Sequence, residues 1–432
     1  MERIKTLILV GLVLLSVVLA LNLMGQQASP GQVEDSPVID FGPAPGLADV
    51  ILPGRVYIHK DQGMKLLRNE SVLYNHLVAS LKTLEFDTLE NWERWEQVDL
   101  PVNNLDSQII FRFDYALTPD LLAGFMHNYD QADFPFESVN TIQVTAEGSL
   151  LFVNSNEAGG WLLNTRFDQQ VLSHAMAADQ ELWDLEWTLL SEVANNMPVD
   201  GYVYDLASPG SVAVQGWRKL QIEEDLIISS FFVDPGRVTQ IRENDGAVIY
   251  TDGEQALRVF ESGALEYSIA EDTGINLVSR GESVQKALEF VARHGGWPVP
   301  LVVGSMHSSE SQLSLEFVSQ ATGLQVYSLD PSLRTVLTGQ TVSSYRRNLL
   351  IASSDRIPNV IEVQPLVQLL SGHTQVSSWF DRNPSSIRDL SLVLFYAGEE
   401  LRPAWKVSLH RQQVFADAAN GRILSIQEGG GF

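Results

Sequence analysis

No cysteine occurs anywhere in the 432 residues. That excludes disulfide staples, thiolate metal ligands, a cysteine nucleophile and a lipid-modified N-terminal cysteine. Basic residues are scarce: 28 Lys and Arg stand against 54 Asp and Glu, for a net charge of −26. The first five residues carry +1, from Glu2 against Arg3 and Lys5, which leaves −27 for the remainder. So acidic a chain repels nucleic acid and disfavours broad contact with anionic lipid; solubility is its plainest consequence. Local catalytic signatures are missing too. There is no H-E-x-x-H, P-loop, G-x-G-x-x-G or G-x-S-x-G. His59, His76, His127, His174, His294, His307, His373 and His410 include no pair at ligand spacing on one helix turn.

What is present begins with Thr6–Met24, nineteen residues without a charge, in which twelve Leu, Ile or Val lie between Leu7 and Leu21. As a helix the run spans roughly 28 Å, one hydrocarbon core. Its aliphatic residues contribute roughly −4 to −7 kcal/mol to insertion. Arg3 and Lys5 precede it, so the positive-inside rule places residues 1–5 in the cytoplasm and everything after Met24 outside. A cleaved signal peptide would need small residues at its cut, and Ala20-Leu21-Asn22 and Gln26-Gln27-Ala28 match that poorly. An uncleaved anchor is the expectation. Ser16 and Ala20, four apart with Gly11 near their stripe, form a candidate face for contact with another membrane helix.

Residues 25–50 are rich in Pro, Gly, Ser and Gln and read as a linker. The rest divides into 51–225, 226–357 and 358–428. In the first part Val56–His59 and Ile109–Tyr115 read as strands and Ser71–Leu84 as a helix. Thr118-Pro119-Asp120 opens another helix, and Thr141–Val153 is a hairpin turning at Glu147-Gly148. Leu89–Val98, with Trp92 and Trp95 three apart, reads as a helix, as do Phe167–Ala177 and Gln180–Asn195. Ile227–Val233 reads as a strand, followed by a meander through turns at Asp245-Gly246, Asp252-Gly253 and Ser262-Gly263. A helix over Glu282–Arg293 then precedes strands Leu301–Val303, Leu313–Ser319 and Leu324–Leu329. In the last part a strand Val360–Val363 and a short helix from Pro365 to Gly372 precede four strands, the final turn being Asn420-Gly421. The later two parts share an order, a helix and then antiparallel strands. Phe232-Val233-Asp234-Pro235 is also echoed by Ser328-Leu329-Asp330-Pro331. The expectation is an α+β protein: an N-terminal transmembrane helix, then a multi-domain extracytoplasmic region with repeated helix-plus-antiparallel-sheet units.

The search for chemistry returns no catalytic, cofactor or metal residue. Gly304-Ser305-Met306-His307 lacks the second glycine of a nucleophile elbow, and Ser305–Glu310 reads as a polar loop. Asp245 and Asp252 read as turn residues rather than calcium ligands. Glu223-Glu224 and Glu399-Glu400 are neighbours in sequence, which rarely face one pocket. Asn69-Glu70-Ser71 is a formal glycosylation sequon. Trp92 and Trp95 read as core packing, with a surface binding groove as the alternative.

Several stretches together resemble the YycH family: the opening Ile4-Lys5-Thr6-Leu7-Ile8-Leu9, then Phe232-Val233-Asp234-Pro235 with Val248-Ile249-Tyr250-Thr251-Asp252-Gly253 and Ala256-Leu257-Arg258-Val259, and the closing Pro403-Ala404-Trp405-Lys406-Val407 with Asn420-Gly421-Arg422-Ile423-Leu424. The closing hairpin is also similar to PepSY-type modules. The resemblance implies one membrane helix and three extracytoplasmic domains, the later two similar to the partner protein YycI. It implies a non-catalytic accessory protein of a Gram-positive cell membrane. That protein would tune a WalK-like sensor histidine kinase governing cell-wall metabolism, through helix contacts in a complex with a YycI-like single-pass partner. It carries over no catalytic residue or cofactor and leaves the sign of regulation open. An extracytoplasmic wall hydrolase, with carboxylates or histidines gathered from distant segments, and a surface binding module are the competing expectations.

Overall fold

The computed structural model describes residues 41–432, apart from 61–62, 86–91, 96–106, 127–128, 131–132, 155–158, 164, 194–197, 221–222, 233, 270–276, 278, 298–300, 321–322, 331, 354–357, 373, 399 and 429–432. Thr6–Met24, with Gly11, Ser16 and Ala20, lies outside the described residues. Among those described, no helix is long and apolar enough to cross a membrane. Phe41–Phe432 makes one compact unit of mixed helix and sheet.

The first part of that unit is an antiparallel sheet with helices on one face. A single turn, α1 (Leu47–Val50), leads into β1 (Arg55–Lys60) and β2 (Gly63–Leu67). Ser71 then caps α2 (Val72–Lys82) by accepting from the Tyr74 N–H, and Leu73, Leu77 and Leu81 turn inward at helical spacing. There follow β3 (Trp92–Trp95), β4 (Ser107–Leu117), α3 (Pro119–Phe125), β5 (Val139–Thr145), β6 (Leu150–Val153) and β7 (Gly160–Leu163). Then come α4 (Gln169–Ala177), capped by Asp168, β8 (Leu182–Leu189), α5 (Leu190–Val193) and β9 (Tyr204–Leu206). The nine strands lie in the order β3-β7-β6-β5-β4-β1-β2-β8-β9. Gly148, at φ 89°, makes the turn between β5 and β6 in a conformation that glycine adopts at little cost.

Strands β10 (Gly210–Val214) and β11 (Gly216–Lys219) leave this sheet. After α6 (Glu224–Phe231) comes the meander of β12 (Thr239–Arg242), β13 (Val248–Thr251), β14 (Gln255–Val259) and β15 (Leu265–Ile269). Helix α7 (Arg280–Arg293) follows, capped by Ser279 and inward-facing through Val284, Leu288 and Val291. Its strands are β16 (Leu301–Ser308), β17 (Gln312–Ser319), β18 (Val326–Ser328), β19 (Leu333–Thr338) and β20 (Thr341–Arg347). β21 (Leu350–Ser353) pairs with β11, and β22 (Asn359–Val363) with β10. Two short helices, α8 (Leu366–Ser371) and α9 (Gln375–Arg382), precede β23 (Asp389–Tyr396), β24 (Leu401–Ser408), β25 (Gln412–Asp417) and β26 (Ile423–Glu428). A parallel pairing, Val326 to Leu394 through Ser328 to Tyr396, joins β18 to β23, so the later strands form one 13-stranded sheet.

The nine-stranded sheet is buried on both faces. Ile109, Phe111, Phe113 and Tyr115 of β4 face α2, α3 and α4 and share one apolar cluster with α7 and its strands. Tyr57 and Ile110, pointing the other way, join a second cluster with Trp187, Val363, Leu392 and Trp405. The last part of the chain therefore covers the outer face of the first sheet.

Four readings of the sequence are corrected. Trp92–Trp95 is a strand paired to Gly160–Leu163, not a helix face. The Trp92 ring meets Phe134, Phe136 and Phe152 edge-on, and these tertiary contacts override the helical spacing. Leu182–Leu189 is a strand between β2 and β9, not part of a helix; Trp183, Leu185 and Trp187 are buried while Asp184 and Glu186 are exposed, a period of two. Glu224–Phe231 is a helix, not a strand; Ile227 and Phe231 bury four residues apart while Leu226 and Ser229 stay exposed. Asp234 thus follows a helix and Asp330 a strand, while Val233 and Pro331 of the echo lie outside the described residues. Finally, β16 runs on through Ser308, because Ser305–Ser308 pair with Leu313–Glu316, where a loop was expected.

Candidate functional site

Charged residues in the interior mark the place where the three parts of the chain meet. β1 opens with Arg55, and β4 presents Arg112 and Asp114 between Phe111, Phe113 and Tyr115. The period-two pleat sends the aromatic residues to the helices and the charges to the opposite face. β23 opens with Asp389, and Lys406 follows Trp405 on β24. Arg55, Arg112, Asp114, Asp389 and Lys406 are all 7% exposed or less.

Arg55 is the hub. Its guanidinium donates to Asp114 Oδ1 at 2.8 Å, to Asp389 Oδ2 at 2.7 Å and to the Leu390 carbonyl at 2.6 Å. Arg112 donates to Asp389 Oδ1 at 3.2 Å and to Thr141 Oγ1 at 2.8 Å. Gln325, just before β18, donates to Asp114 Oδ2 at 2.7 Å and accepts from the Tyr327 hydroxyl at 3.0 Å. Lys406 Nζ donates to that hydroxyl at 2.7 Å and lies 4.5 Å from the centre of the Tyr327 ring. One connected network thus draws on all three parts.

Its electrostatics follow from burial and pairing. Burial alone would raise the Asp389 carboxyl, but Arg55 and Arg112 outweigh it and hold it at about 2. Burial would likewise lower the Arg55 guanidinium; Asp389 and Asp114 hold it above its ordinary value instead. At Lys406 burial prevails and pulls the ammonium below its usual range, opposed by Asp114 and Asp389. Burial pushes the Tyr57 hydroxyl up to about 12. The network is buried and closed over by strands. Its geometry suits holding strands in register better than meeting a substrate.

A second link of the same kind lies at α8. The Asp205 carboxylate, fully buried in the middle of β9, accepts from the Leu366 and Val367 N–H groups, both at 2.9 Å. It caps a helix that lies 161 residues further on. Burial raises this carboxyl to about 6 against those hydrogen bonds.

The residues singled out in the sequence do not converge. Ser305 Oγ contacts Glu316 Oε2 at 3.4 Å, and burial pushes that carboxyl up. His307 lies two residues along the same strand, opposite Ser314, and burial brings it down to about 4. The Ser305 hydroxyl thus pairs with Glu316. Asp245 and Asp252 accept from backbone N–H groups of their own turns. Asn69 is buried and donates to the Gly54 carbonyl at 2.9 Å, so the sequon serves packing. Glu224 accepts from the Tyr250 hydroxyl, while Glu223 precedes α6. Glu400 pairs with Arg402, and Glu399, His127 and His373 lie outside the described residues. His294 closes α7 and stacks on Phe231 at 4.1 Å. Among the described residues no three His, Asp or Glu are grouped so as to hold a metal ion.

Sequence reading missed the network because Arg55 and Asp389 are 334 residues apart. One signal was present: single charges inside otherwise apolar strands, as in Phe111-Arg112-Phe113-Asp114-Tyr115 and Trp405-Lys406-Val407.

Known proteins supply a frame for this architecture. Residues 2–156 match a family model described as the YycH protein, N-terminal domain. The crystal structure of YycH from Bacillus subtilis is similar to 89% of this chain and 98% of its own, with TM-score 0.66 and 13% identity. The C-terminal domain of YpeB from Bacillus megaterium is similar over 48% of this chain and 98% of its own, with TM-score 0.30 and 12% identity. No curated protein matches the chain. The fold is thus that of a YycH-type protein, mixed helix and sheet with repeated units. Residues 2–156 thus match the YycH N-terminal domain in sequence, and the fold of the chain is similar to that of YycH.

Proposed function

We propose that this chain is a non-catalytic regulator of a two-component sensor histidine kinase. The observation that carries the reading is the match of residues 2–156 to the YycH N-terminal domain, because membership of that family implies regulation of the WalK/YycG system. On this reading Thr6–Met24 is a single membrane-spanning helix with its N-terminus in the cytoplasm, and the folded unit lies outside the cell. The kinase and a YycI-like single-pass protein are its partners, met through the membrane helix along Gly11, Ser16 and Ala20 and through the ectodomain. Divisions at 226 and 358 mark the two later domains in this scheme.

The experiment is co-purification from membranes. The intact chain should bring down a histidine kinase and a second single-pass protein. A chain lacking residues 1–24 should bring down markedly less of both. Partners that bind the truncated chain as well as the intact one would contradict contact through the membrane helix. A purified ectodomain that hydrolyses wall fragments would overturn the regulator reading itself.

A further inference from the structure

We propose that the charge set around Arg55 selects one docked arrangement of the last part of the chain on the first, while apolar contact supplies the attraction. This inference is independent of the regulator reading. Tyr57, Ile110 and Trp187 meet Trp405 and Val363 in one cluster, with the Trp187 and Trp405 rings edge-on at 6.0 Å. The β10–β22 ladder and the Asp205 cap of α8 hold the rim of this contact, while its apolar centre, being non-directional, tolerates sliding. The charges do not. Asp114 and Asp389 offer four carboxylate oxygens, and each is bound by a donor from Arg55, Arg112 or Gln325. If β23 slipped by one residue, Arg388 or Leu390 would stand where Asp389 stands. Arg388 would face two buried guanidiniums; Leu390 would remove the carboxylate that Arg55 and Arg112 share. Either neighbour penalises the wrong arrangement, which is how charge specifies a pairing that burial alone leaves open.

Gly54 reports on the same lock without carrying a charge. A Cβ there would lie 1.9 Å from Asp114 Oδ2 and 2.7 Å from Gln325 Nε2. A methyl group at this position is refused by the junction itself.

The absence of cysteine makes the test direct. Cysteines replacing exposed His76 on α2 and exposed Asp381 on α9 carry nitroxide labels in the full-length chain, and double electron–electron resonance reads the distance between them. The parent chain should give one narrow distribution. A charge-balanced apolar set, Arg55→Met, Arg112→Met, Asp114→Leu and Asp389→Leu, should keep its circular dichroism but show a second distance component above about 10%. Gly54→Ala should broaden the distribution in the same way. The proposal is overturned if the apolar set keeps the parent's single narrow distance, or if it loses its secondary structure, since the charges would then supply the attraction themselves. A narrow distribution for Gly54→Ala also counts against it.

Discussion

Around α7, Val284, Leu288 and Val291 meet Leu313, Phe317 and Tyr345, every one of them fully buried. Around Arg55 the burial is nearly as deep, yet the groups in contact are guanidiniums, carboxylates, an ammonium and a phenol. Both interiors are deeply buried, but they respond differently to change. In the first, neighbours are interchangeable within limits of volume, because dispersion and burial depend little on direction. In the second, each group is tolerable only while its partner is present, because a lone buried charge is expensive.

Breaking the second interior on one side should have the largest effect. Asp389→Ala leaves Arg55 and Arg112 without their shared carboxylate and should cost about 3–5 kcal/mol in denaturant unfolding. Phe317→Ala, in the first interior, should cost a similar amount of roughly 3–5 kcal/mol through its cavity. The difference appears on repair. Phe317→Leu should recover most of that loss, whereas Asp389→Leu should recover none, because shape was never what Asp389 supplied.

Acid should sharpen the contrast from the other side. His294 and His307 are held near 4 by burial, so below about 6.5 the unfolded chain takes up protons that the folded chain refuses. Stability therefore falls as pH drops from 6.5 towards 4, by on the order of 3 kcal/mol for each histidine. Asp205, raised to about 6, works in the opposite direction over the same range and offsets part of this. Asp389, depressed to about 2, holds its contribution until the pH falls below its unfolded value near 4. Unfolding midpoints of His294→Gln and His307→Gln between pH 7 and 4.5 should each show a shallower slope than the parent, with the junction intact throughout.

Smaller effects are expected at the rims. Asp205→Ala removes the cap of α8 and should cost about 2 kcal/mol, with hydrogen exchange faster at Leu366 and Val367 than elsewhere. Arg258, paired with Glu243 and Asp245 at the surface, should lose no more than about 1 kcal/mol on replacement by Ala, and added salt should erase the difference.

Where one face of an element settles its period, the sequence reads correctly. Ser71–Leu84, Glu282–Arg293 and the four closing strands all lie where their apolar spacing puts them. Where aromatic or β-branched residues fit both periods, tertiary neighbours decide. Trp92 is drawn into a strand by Phe134, Phe136 and Phe152, and Ile227 into a helix by the interior beneath it. Of the junction only the single charges inside apolar strands were legible, not their partners. An alternating strand such as Ile109–Tyr115 predicts a polar face towards water, and nothing local announces that the last part of the chain covers it. Only the pairing of Arg55 with a residue far along the chain makes those charges intelligible.

The charged outer face of the first sheet has a consequence for how the molecule is made. Synthesis delivers β1 and β4 long before β23 and β24. In that interval Arg55, Arg112 and Asp114 interrupt a face that Tyr57, Ile110 and Trp187 would otherwise make continuously apolar, and charge on an uncovered strand opposes pairing with another chain. The groups that pair with Asp389 in the finished fold are therefore solvated charges until the closing segment covers them.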